Sequence, residues 1–431
     1  MTYTIDPTIS STNSRVQIKH CCTSRNQYTI LNYEKGFVCF DDTVSPMYRS
    51  VILDANTHAI CAFSPPKSTP MTYDPTSSGL RHHPQTFLVL PVDLRPERPA
   101  LGLIHMDMDP DTWLVNEIVE GSMVNLWYDR VAGCWEISTK NAVGGEYVYF
   151  RNDLSDGSDT TELTNMPFIG KVTYKTMFLD AICEGDIQEI NDIVCLNEWD
   201  TNYSYSFVLQ HPQNHLVLHI DRPRLYLVAV YRVSFPDQPN MVELIYPTTY
   251  RTWKWLESCI WVHYPPIVPR MSYTNLLHNY TTIHGSSNVV GVMMTNLKTG
   301  TRHKIVSTAY QERKEIRRNN PGVFYQYLCL RYIKKLDDFF IHSPMYVPIF
   351  ERLNAVVAQF LYNIYRSYQS RYMKRTGETI SHRYMPHAYN IHHTMYLPSV
   401  SSGKQKITMQ SVEQYLNTMS PTELFQALYT V

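Results

Sequence analysis

The sequence lacks the features that mark membrane, secreted or disordered proteins. No apolar run approaches the roughly 18 residues that a membrane-spanning helix needs, and the first residues show no charged stretch followed by an apolar one. Glycine accounts for only 16 of 431 residues, so flexible linkers are few. Hydrophobic residues make up 44% and charged residues 18%, which excludes global disorder because enough apolar surface is available to offset chain entropy. We expect a chain that is folded throughout.

Cysteine and histidine do not form the patterns of disulfide frameworks or zinc sites. The nine cysteines are odd in number and contain no CxxC pair, which fits reduced thiols in an intracellular protein, either cytoplasmic or nuclear. A His-rich segment lacks any carboxylate or cysteine at metal-ligand spacing, so a metal site there is disfavoured. Its histidines are His382, His387, His392 and His393.

The net charge of −1 conceals two segments of opposite charge. Residues 101–200 hold 5 Lys and Arg against 19 Asp and Glu, whereas residues 298–375 hold 15 Lys and Arg against 5 Asp and Glu. A polyanion would be attracted to the second segment. The same positive charge is also compatible with solvated helix faces, and the sequence leaves both interpretations open.

The hydrophobic pattern changes near residue 310. Before it, short β-branched and aromatic runs are separated by turn residues, which is typical of antiparallel sheet. The predicted strands are Tyr48 to Asp54, His58 to Phe63, Met123 to Tyr128, Cys134 to Thr139, Tyr203 to Gln210, His215 to Ile220, Leu225 to Val233, and the hairpin Val289 to Asn296 with Arg302 to Val306, and one helix is predicted from Lys175 to Cys183.

Beyond residue 310, apolar residues recur at helical spacing, and a capping box opens the last helix. The apolar stripe comprises Ile349, Leu353, Val356, Phe360, Ile364 and Tyr368, and the capping box spans Ser420 to Glu423. The patterns together predict an α+β protein. We assign residues 1–44 to an amino-terminal arm or lead-in, residues 45–310 to an antiparallel-sheet domain and residues 311–431 to an all-α carboxy-terminal domain.

Several motifs follow one another in a recognisable order. Glu117 to Asp129 reads as a hairpin strand entered through an acidic residue, glycine and serine, and its partner strand ends at Lys140. This hairpin resembles the KxDGS start of the nucleotidyltransferase core in the T4 RNA ligase 1 family. Upstream, Arg49 and Lys67 lie in segments that look like the family's Arg-Gly and Phe-Pro-Lys elements.

Three downstream blocks continue the resemblance. Phe207 to Leu218 is similar to the family's FExxSPxNRIV motif, Val290 to Met293 to its EGxV motif, and Lys304 to Tyr310 to its KIKSxxY motif. The helical tail also looks like tails of ligase-like proteins from large DNA viruses. The resemblance implies a nucleotidyltransferase domain of the RNA ligase type, which is ATP-grasp-like, followed by helices.

The sequence departs from the family at four charged positions. The family's lysine nucleophile, which attacks the α-phosphate of ATP, corresponds to Ile118, which has no lone pair. Two carboxylates that help hold metal and nucleotide correspond to Val208 and Val290, and a phosphate-binding lysine corresponds to Val306. Aliphatic side chains cannot bind a metal or a phosphate. We interpret the region as a nucleotide pocket converted to core, without catalytic residues, metal or cofactor.

Other polar positions of the family pattern persist. They can retain nucleotide or RNA-phosphate binding, or they can serve folding and solubility alone. These residues are Arg49, Lys67, Glu120, Lys140 and Lys304. The basic segment that follows could guide an RNA strand, and its candidates are Arg313, Lys314, Arg317 and Arg318.

The expected function is that of a catalytically inactive RNA-ligase-like protein. It would act as a scaffold subunit with protein partners, one setting being a virus particle, or as a binder of RNA ends. The 32 tyrosines favour the scaffold role slightly. One alternative is an active ligase that joins 5'-phosphate and 3'-hydroxyl RNA ends through a lysyl-AMP intermediate, using ATP and magnesium. Another is an unrelated fold with accidental similarity.

Overall fold

The computed structural model divides the chain into two compact units, which we call the sheet unit and the helical unit. The sheet unit is built from Met1–Tyr149 and Val172–Glu312, and the described residues of the helical unit begin at Arg313. The residues that the structure describes are 1–33, 44–72, 81–82, 112–147, 172–182, 187–214, 217–235, 238–269, 271, 273–281, 289–317, 323–374, 381–400 and 406–429.

All strands of the described residues belong to the sheet unit. They are β1 (Thr2–Thr4), β2 (Val16–Cys22), β3 (Gln27–Tyr33), β4 (Val51–Asp54), β5 (Ile60–Phe63), β6 (Thr69–Thr72), β7 (Arg81–His82), β8 (Trp113–Glu117), β9 (Ser122–Asp129), β10 (Cys134–Ser138), β11 (Tyr203–Gln210), β12 (Arg224–Arg232), β13 (Met241–Ile245), β14 (Val262–His263), β15 (Gly291–Asn296) and β16 (Arg302–Val306).

Short helices connect the strands, and longer helices form the second unit. They are α1 (Ile9–Thr12), α2 (Tyr174–Asp180), α3 (Pro247–Tyr250), α4 (Lys254–Glu257), α5 (Tyr273–Thr281), α6 (Thr308–Arg317), α7 (Val323–Tyr332), α8 (Leu336–His342), α9 (Val347–Tyr368), α10 (Met385–Ile391), α11 (Leu397–Ser399), α12 (Met409–Thr418) and α13 (Pro421–Tyr429). Of the helices in the described ranges, none combines the length and apolar character of a membrane span.

The strands form three sheets. The seven-stranded sheet has the order β1-β13-β12-β11-β9-β10, with β14 added beside β12. The five-stranded sheet has the order β7-β6-β16-β15-β8, and the four-stranded sheet has the order β2-β3-β4-β5. Pairing is antiparallel except between β12 and β14 and between β6 and β16. The molecule is therefore a mixed α+β protein with antiparallel sheets and carboxy-terminal helices.

The two faces of the seven-stranded sheet differ in polarity because side chains alternate along each strand. Val124 on β9 and Phe207 on β11 belong to the face that packs against α2. The opposite face carries Asn125 and Ser206, and the Ser206 hydroxyl donates to Asn125 Oδ1 over 2.8 Å. Asn125 Nδ2 donates in turn to Ser64 Oγ over 2.7 Å. A buried polar layer thus lines this face of the sheet.

The first residues are part of the sheet unit rather than a separate arm, which corrects the sequence-based interpretation of residues 1–44. β1 pairs with β13, and β2 and β3 form half of the four-stranded sheet. Tyr3 and Ile5 are buried in the same apolar cluster as Val51 and Phe63. A sequence pattern cannot show this pairing, because the partner strand lies more than 200 residues away.

Most predicted strands occur with shifts of a few residues at their ends. The strand Tyr203–Gln210 and the hairpin of β15 and β16 are confirmed, and Gly300 adopts a φ of +68° in the hairpin turn. The predicted strand His215 to Ile220 is wrong over its described part, because Val217–Ile220 forms no strand.

The helical unit is organised around α9. Phe350, Leu353, Val357, Phe360 and Ile364 are buried in its core. The prediction named Ile349 and Val356 in place of Phe350 and Val357, because either choice of adjacent positions follows helical spacing. The capping box at the last helix is confirmed: the Ser420 N–H donates to the Glu423 carboxylate, and the Glu423 N–H donates to the Ser420 hydroxyl.

Candidate functional site

The four altered positions of the ligase pattern lie where the chain crosses between two sheets. β8 in the five-stranded sheet ends at Glu117, and β9 in the seven-stranded sheet begins at Ser122. Within the connection, the Ile118 N–H donates to the Gly291 carbonyl over 2.8 Å. The connection therefore starts as a continuation of the β8–β15 pairing.

Aliphatic side chains fill this crossing. Ile118 and Val306 pack against an apolar cluster that contains Val217, Val290 and Tyr310. Val208 is also buried, on β11 in the neighbouring sheet. A Cβ atom added at Gly121 would lie 2.7 Å from Val208 Cγ1, so Val208 packs directly against the connection. Val208, Val290 and Val306 thus pack around the short connection that contains Ile118.

Glu120 has a structural role at the centre of this segment. Its side chain is 3% exposed, and its Oε1 atom accepts hydrogen bonds from Val217 N over 2.7 Å and from Leu218 N over 3.1 Å. Oε2 accepts a further bond from Leu218 N over 3.2 Å. The carboxylate occupies backbone donors that a strand at this position would use. Glu120 thus contacts the backbone of the segment in which a strand was predicted, and a role in folding is compatible with these contacts.

Two glycines allow the backbones to approach closely at the crossing. A Cβ atom at Gly121 would lie 2.4 Å from the Leu209 carbonyl oxygen, and one at Gly291 would lie 2.0 Å from the Ile305 carbonyl oxygen. Real Cβ atoms do not approach a backbone oxygen so closely, so any other residue would force the strands apart. Both glycines are therefore required by packing.

Three predicted phosphate-binding cations come together around the ring of Tyr33. Lys140 Nζ lies 4.0 Å from the ring centroid and donates to the Tyr33 carbonyl oxygen over 3.4 Å. Lys67 Nζ lies 5.2 Å from the same centroid. Burial raises the pKa of Tyr33, and the nearby charge of Arg49 opposes that rise. Tyr33 was not identified from the sequence, which offers no signal that separates it from the other tyrosines.

A fourth cation, Arg302, lies beside these three. Its Nη1 atom donates to the Pro66 carbonyl oxygen over 3.1 Å, next in the chain to Lys67. Burial lowers the pKa of Arg302, Tyr231 opposes this shift, and Arg49 reinforces it. We call Arg49, Lys67, Lys140 and Arg302 the cation cluster. Sequence analysis missed Arg302 because it entered only as the first residue of a predicted strand.

The cation cluster concentrates like charges in partly buried surroundings. All four side chains are partly exposed, and neither Arg49 nor Arg302 forms an ion pair with a carboxylate within the described ranges. Like charges at close range repel one another strongly where solvent screening is reduced. A bound anion would relieve this repulsion, and guanidinium and ammonium groups are the cations that hold phosphate in proteins.

The remaining predicted cations belong to β16 and to the segment that follows it. Lys304 is half-buried on β16, two residues after Arg302 and therefore on the same side of the strand. Arg313 is half-buried and Lys314 exposed on α6. Arg317 is the last residue of α6, and Arg318 lies outside the described residues.

A buried histidine forms a second polar contact near the crossing that the sequence did not indicate. His211 Nε2 lies 3.3 Å from Asp180 Oδ2, and its Nδ1 atom accepts a hydrogen bond from Gln213 N over 3.1 Å. Burial lowers the pKa of His211, and Asp180 opposes the shift. A neutral ring with its proton on Nε2 satisfies both contacts. Across the described residues, no three His, Cys, Asp or Glu side chains are placed to hold a metal ion together.

Comparisons with known proteins give only distant matches. No protein-family model and no curated protein matches the chain. Solved structures of an RNA ligase from Naegleria gruberi are similar: a mutant with ATP and Mn at 12% identity and a TM-score of 0.31, covering 47% of this chain and 52% of that one. The same ligase with PPi matches at 13% identity and a TM-score of 0.30. The chain covers about half the length of these proteins.

Proposed function

We propose that this protein is a non-catalytic RNA-binding protein that holds RNA phosphates at the cation cluster. The observation that carries the proposal is the convergence of Arg49, Lys67 and Lys140 on Tyr33, with Arg302 beside them. The cations come from widely separated parts of the sequence, so the fold itself assembles them. A cluster of this kind can contact more than one phosphate along a strand.

The aliphatic packing at the crossing supports a role without covalent nucleotide chemistry. Ile118 cannot attack a phosphate, since its side chain has no lone pair. Val290 and Val306 pack into the same apolar cluster as Ile118 and offer no charge to a metal or a phosphate. The order of motifs in the sequence, which resembles that of RNA ligases, favours RNA over other polyanions.

Binding of a 5'-phosphorylated single-stranded RNA, followed by fluorescence anisotropy over a range of salt concentrations, tests this function. In the full-length protein, the combined substitutions Arg49→Gln, Lys67→Gln and Lys140→Gln should weaken binding at least tenfold at low salt. Each lost phosphate contact on a single strand reduces the slope of log K against log salt by about 0.7, so we expect the slope to fall by about 2.

A second triple variant serves as the matched control. Arg222, Lys254 and Lys298 are exposed cations of the same unit, and their replacement by Gln removes the same charge. This control should retain most of the affinity, and circular dichroism should show that both variants remain folded at the temperature of the binding assay. Equal losses in the two variants would show that only net charge matters, and no RNA binding at low salt would contradict the proposal.

A scaffold role is the second candidate, and exposed apolar side chains of the helical unit support it. Ile341 on α8 is 74% exposed, and Tyr332 at the end of α7 is 51% exposed. Scattered exposed apolar residues are normal on soluble proteins, so this support is weaker than that of the cation cluster. Sedimentation velocity at increasing concentration checks it: self-association that Ile341→Lys abolishes would favour a scaffold.

A further inference from the structure

The helical unit carries stacked tyrosine and histidine rings where two π-helical segments meet. These segments are Gln369–Lys374, after α9, and His392–Tyr396, after α10. The ring of Tyr372 lies parallel to that of His392, with centroids 3.9 Å apart and an interplanar angle of 9°. The rings of His392 and Tyr396 continue the stack at 5.0 Å and 20°.

A second ring pair adjoins this stack. The rings of Tyr389 and His393 have centroids 4.0 Å apart, and His393 meets His392 edge to face at 5.7 Å. We call Tyr372, Tyr389, His392, His393 and Tyr396 the ring column. π-helical turns are rare and are frequently found at functional sites, and here both segments contribute rings to one column. This coincidence of backbone and side chains distinguishes the column from ordinary core packing.

The ring column lies at the surface. Tyr389 is 53% exposed, His393 is exposed, and the other three rings are half-buried. Residues 352–412, which include the column, contain 8 Lys and Arg but a single Asp or Glu. Arg371 and Lys374 are exposed on the first π-helical segment itself. Aromatic ring faces next to exposed cations are suited to a polyanion that also carries planar rings.

The histidines of the column are engaged with tyrosines rather than arranged around a metal. His392 Nδ1 lies 3.3 Å from the Tyr368 hydroxyl, and burial together with His393 lowers the pKa of His392. The His392 ring stacks with the rings of both Tyr372 and Tyr396, so it holds the column together. Tyr389 and His393 are the exposed rings of the column and are the ones that a base can reach.

We propose that the ring column is a base-stacking site for single-stranded RNA. Aromatic side chains bind bases in this way without sequence preference, because every base has a π face, and adjacent cations hold the backbone. The inference rests on the proposed function in one respect, which is that RNA is the partner. It concerns residues of the helical unit, whereas the cation cluster belongs to the sheet unit.

Binding of a 12-residue oligoadenylate with internal 2-aminopurine to the full-length protein tests this site. The fluorescence of 2-aminopurine should be quenched when the base stacks on the column. Tyr389→Ala should weaken binding about tenfold and reduce the quenching, whereas Tyr389→Phe should preserve both because it keeps the ring. Tyr362→Ala is the matched control, since Tyr362 is 45% exposed in the same unit and makes no ring contact with the column.

An abasic oligomer with the same number of phosphates separates stacking from charge. Tyr389→Ala should bind it as tightly as the wild type does. Wild-type binding of oligoadenylate by Tyr389→Ala, or an equal loss on the abasic oligomer, would overturn the stacking site. If that happens while the triple variant of the cation cluster loses RNA, the proposed function stands and only this inference fails. If the wild-type protein binds neither oligomer, both fail.

Discussion

Glu120 illustrates how a residue that sequence motifs single out can contribute to folding. Its carboxylate accepts hydrogen bonds from the backbone of Val217 and Leu218 and is almost completely buried. Such charge-assisted bonds are stronger than those between neutral groups. The motif was visible in the sequence, but its partner donors lie about 100 residues away and were predicted as a strand. Sequence analysis therefore identified the right residue and left its role open.

The substitution Glu120→Gln should destabilise the sheet unit. A neutral amide accepts weaker bonds than a carboxylate, and its NH₂ group would face backbone donors. We expect the free energy of unfolding to fall by about 2 kcal/mol, which is typical for a buried bond to a charged group. Urea unfolding measures the change. Glu198→Gln is the control, since Glu198 is exposed, and an equal effect of both substitutions would contradict the structural role.

Elements defined by local signals were predicted well from the sequence. The β15–β16 hairpin has a turn in which the Asn296 side chain accepts from the N–H groups of Lys298 and Thr299, and all of these residues are adjacent. The capping box at Ser420 is equally local. Elements that depend on distant partners were not predicted, as the missing strand at Val217 shows. The prediction of the buried residues on α9 was only partly right. The helices that pack against α9 decide which of two adjacent apolar positions is buried.

The packing of α10 against its neighbours predicts a pH dependence of stability. His387 on α10 lies 3.0 Å from the Tyr415 hydroxyl on α12, and its ring meets that of Phe360 on α9. Burial lowers the pKa of His387, and Arg383 lowers it further. An unfolded histidine titrates near pH 6.5, so below that pH the unfolded chain binds a proton more readily than folded His387 does. The packing of neutral His387 therefore stabilises the fold above about pH 6.5, and this stabilisation is lost as the pH falls.

The substitution His387→Gln should reduce this pH dependence. Glutamine can keep a hydrogen bond to Tyr415 but does not titrate. The midpoint of urea unfolding should therefore fall less between pH 7.5 and pH 5 in the variant than in the wild type. His382, which is exposed, provides the control through His382→Gln, and an identical pH profile for the wild type and His387→Gln would refute the assignment.

At the scale of the whole molecule, the sequence predicted a mixed α+β fold but not which distant residues come together in it. The change from sheet to helix near residue 310 was read from periodicity, and the structure divides between Glu312 and Arg313. The cation cluster combines residues from four separate segments, and the family resemblance had singled out three of them. Arg302 and Tyr33 could be added only once the sheets were known, because nothing near them in the sequence marks their proximity.

The proposed function excludes covalent nucleotide transfer at the crossing, where Ile118, Val290 and Val306 pack together as aliphatic side chains. Intact mass spectrometry of the full-length protein after incubation with ATP and magnesium tests it most directly. We predict an unchanged mass, because Ile118 cannot form a bond to phosphorus and its neighbours are buried aliphatic side chains. A mass increase that corresponds to one AMP on a lysine would contradict the claim and would identify the protein as an active nucleotidyltransferase.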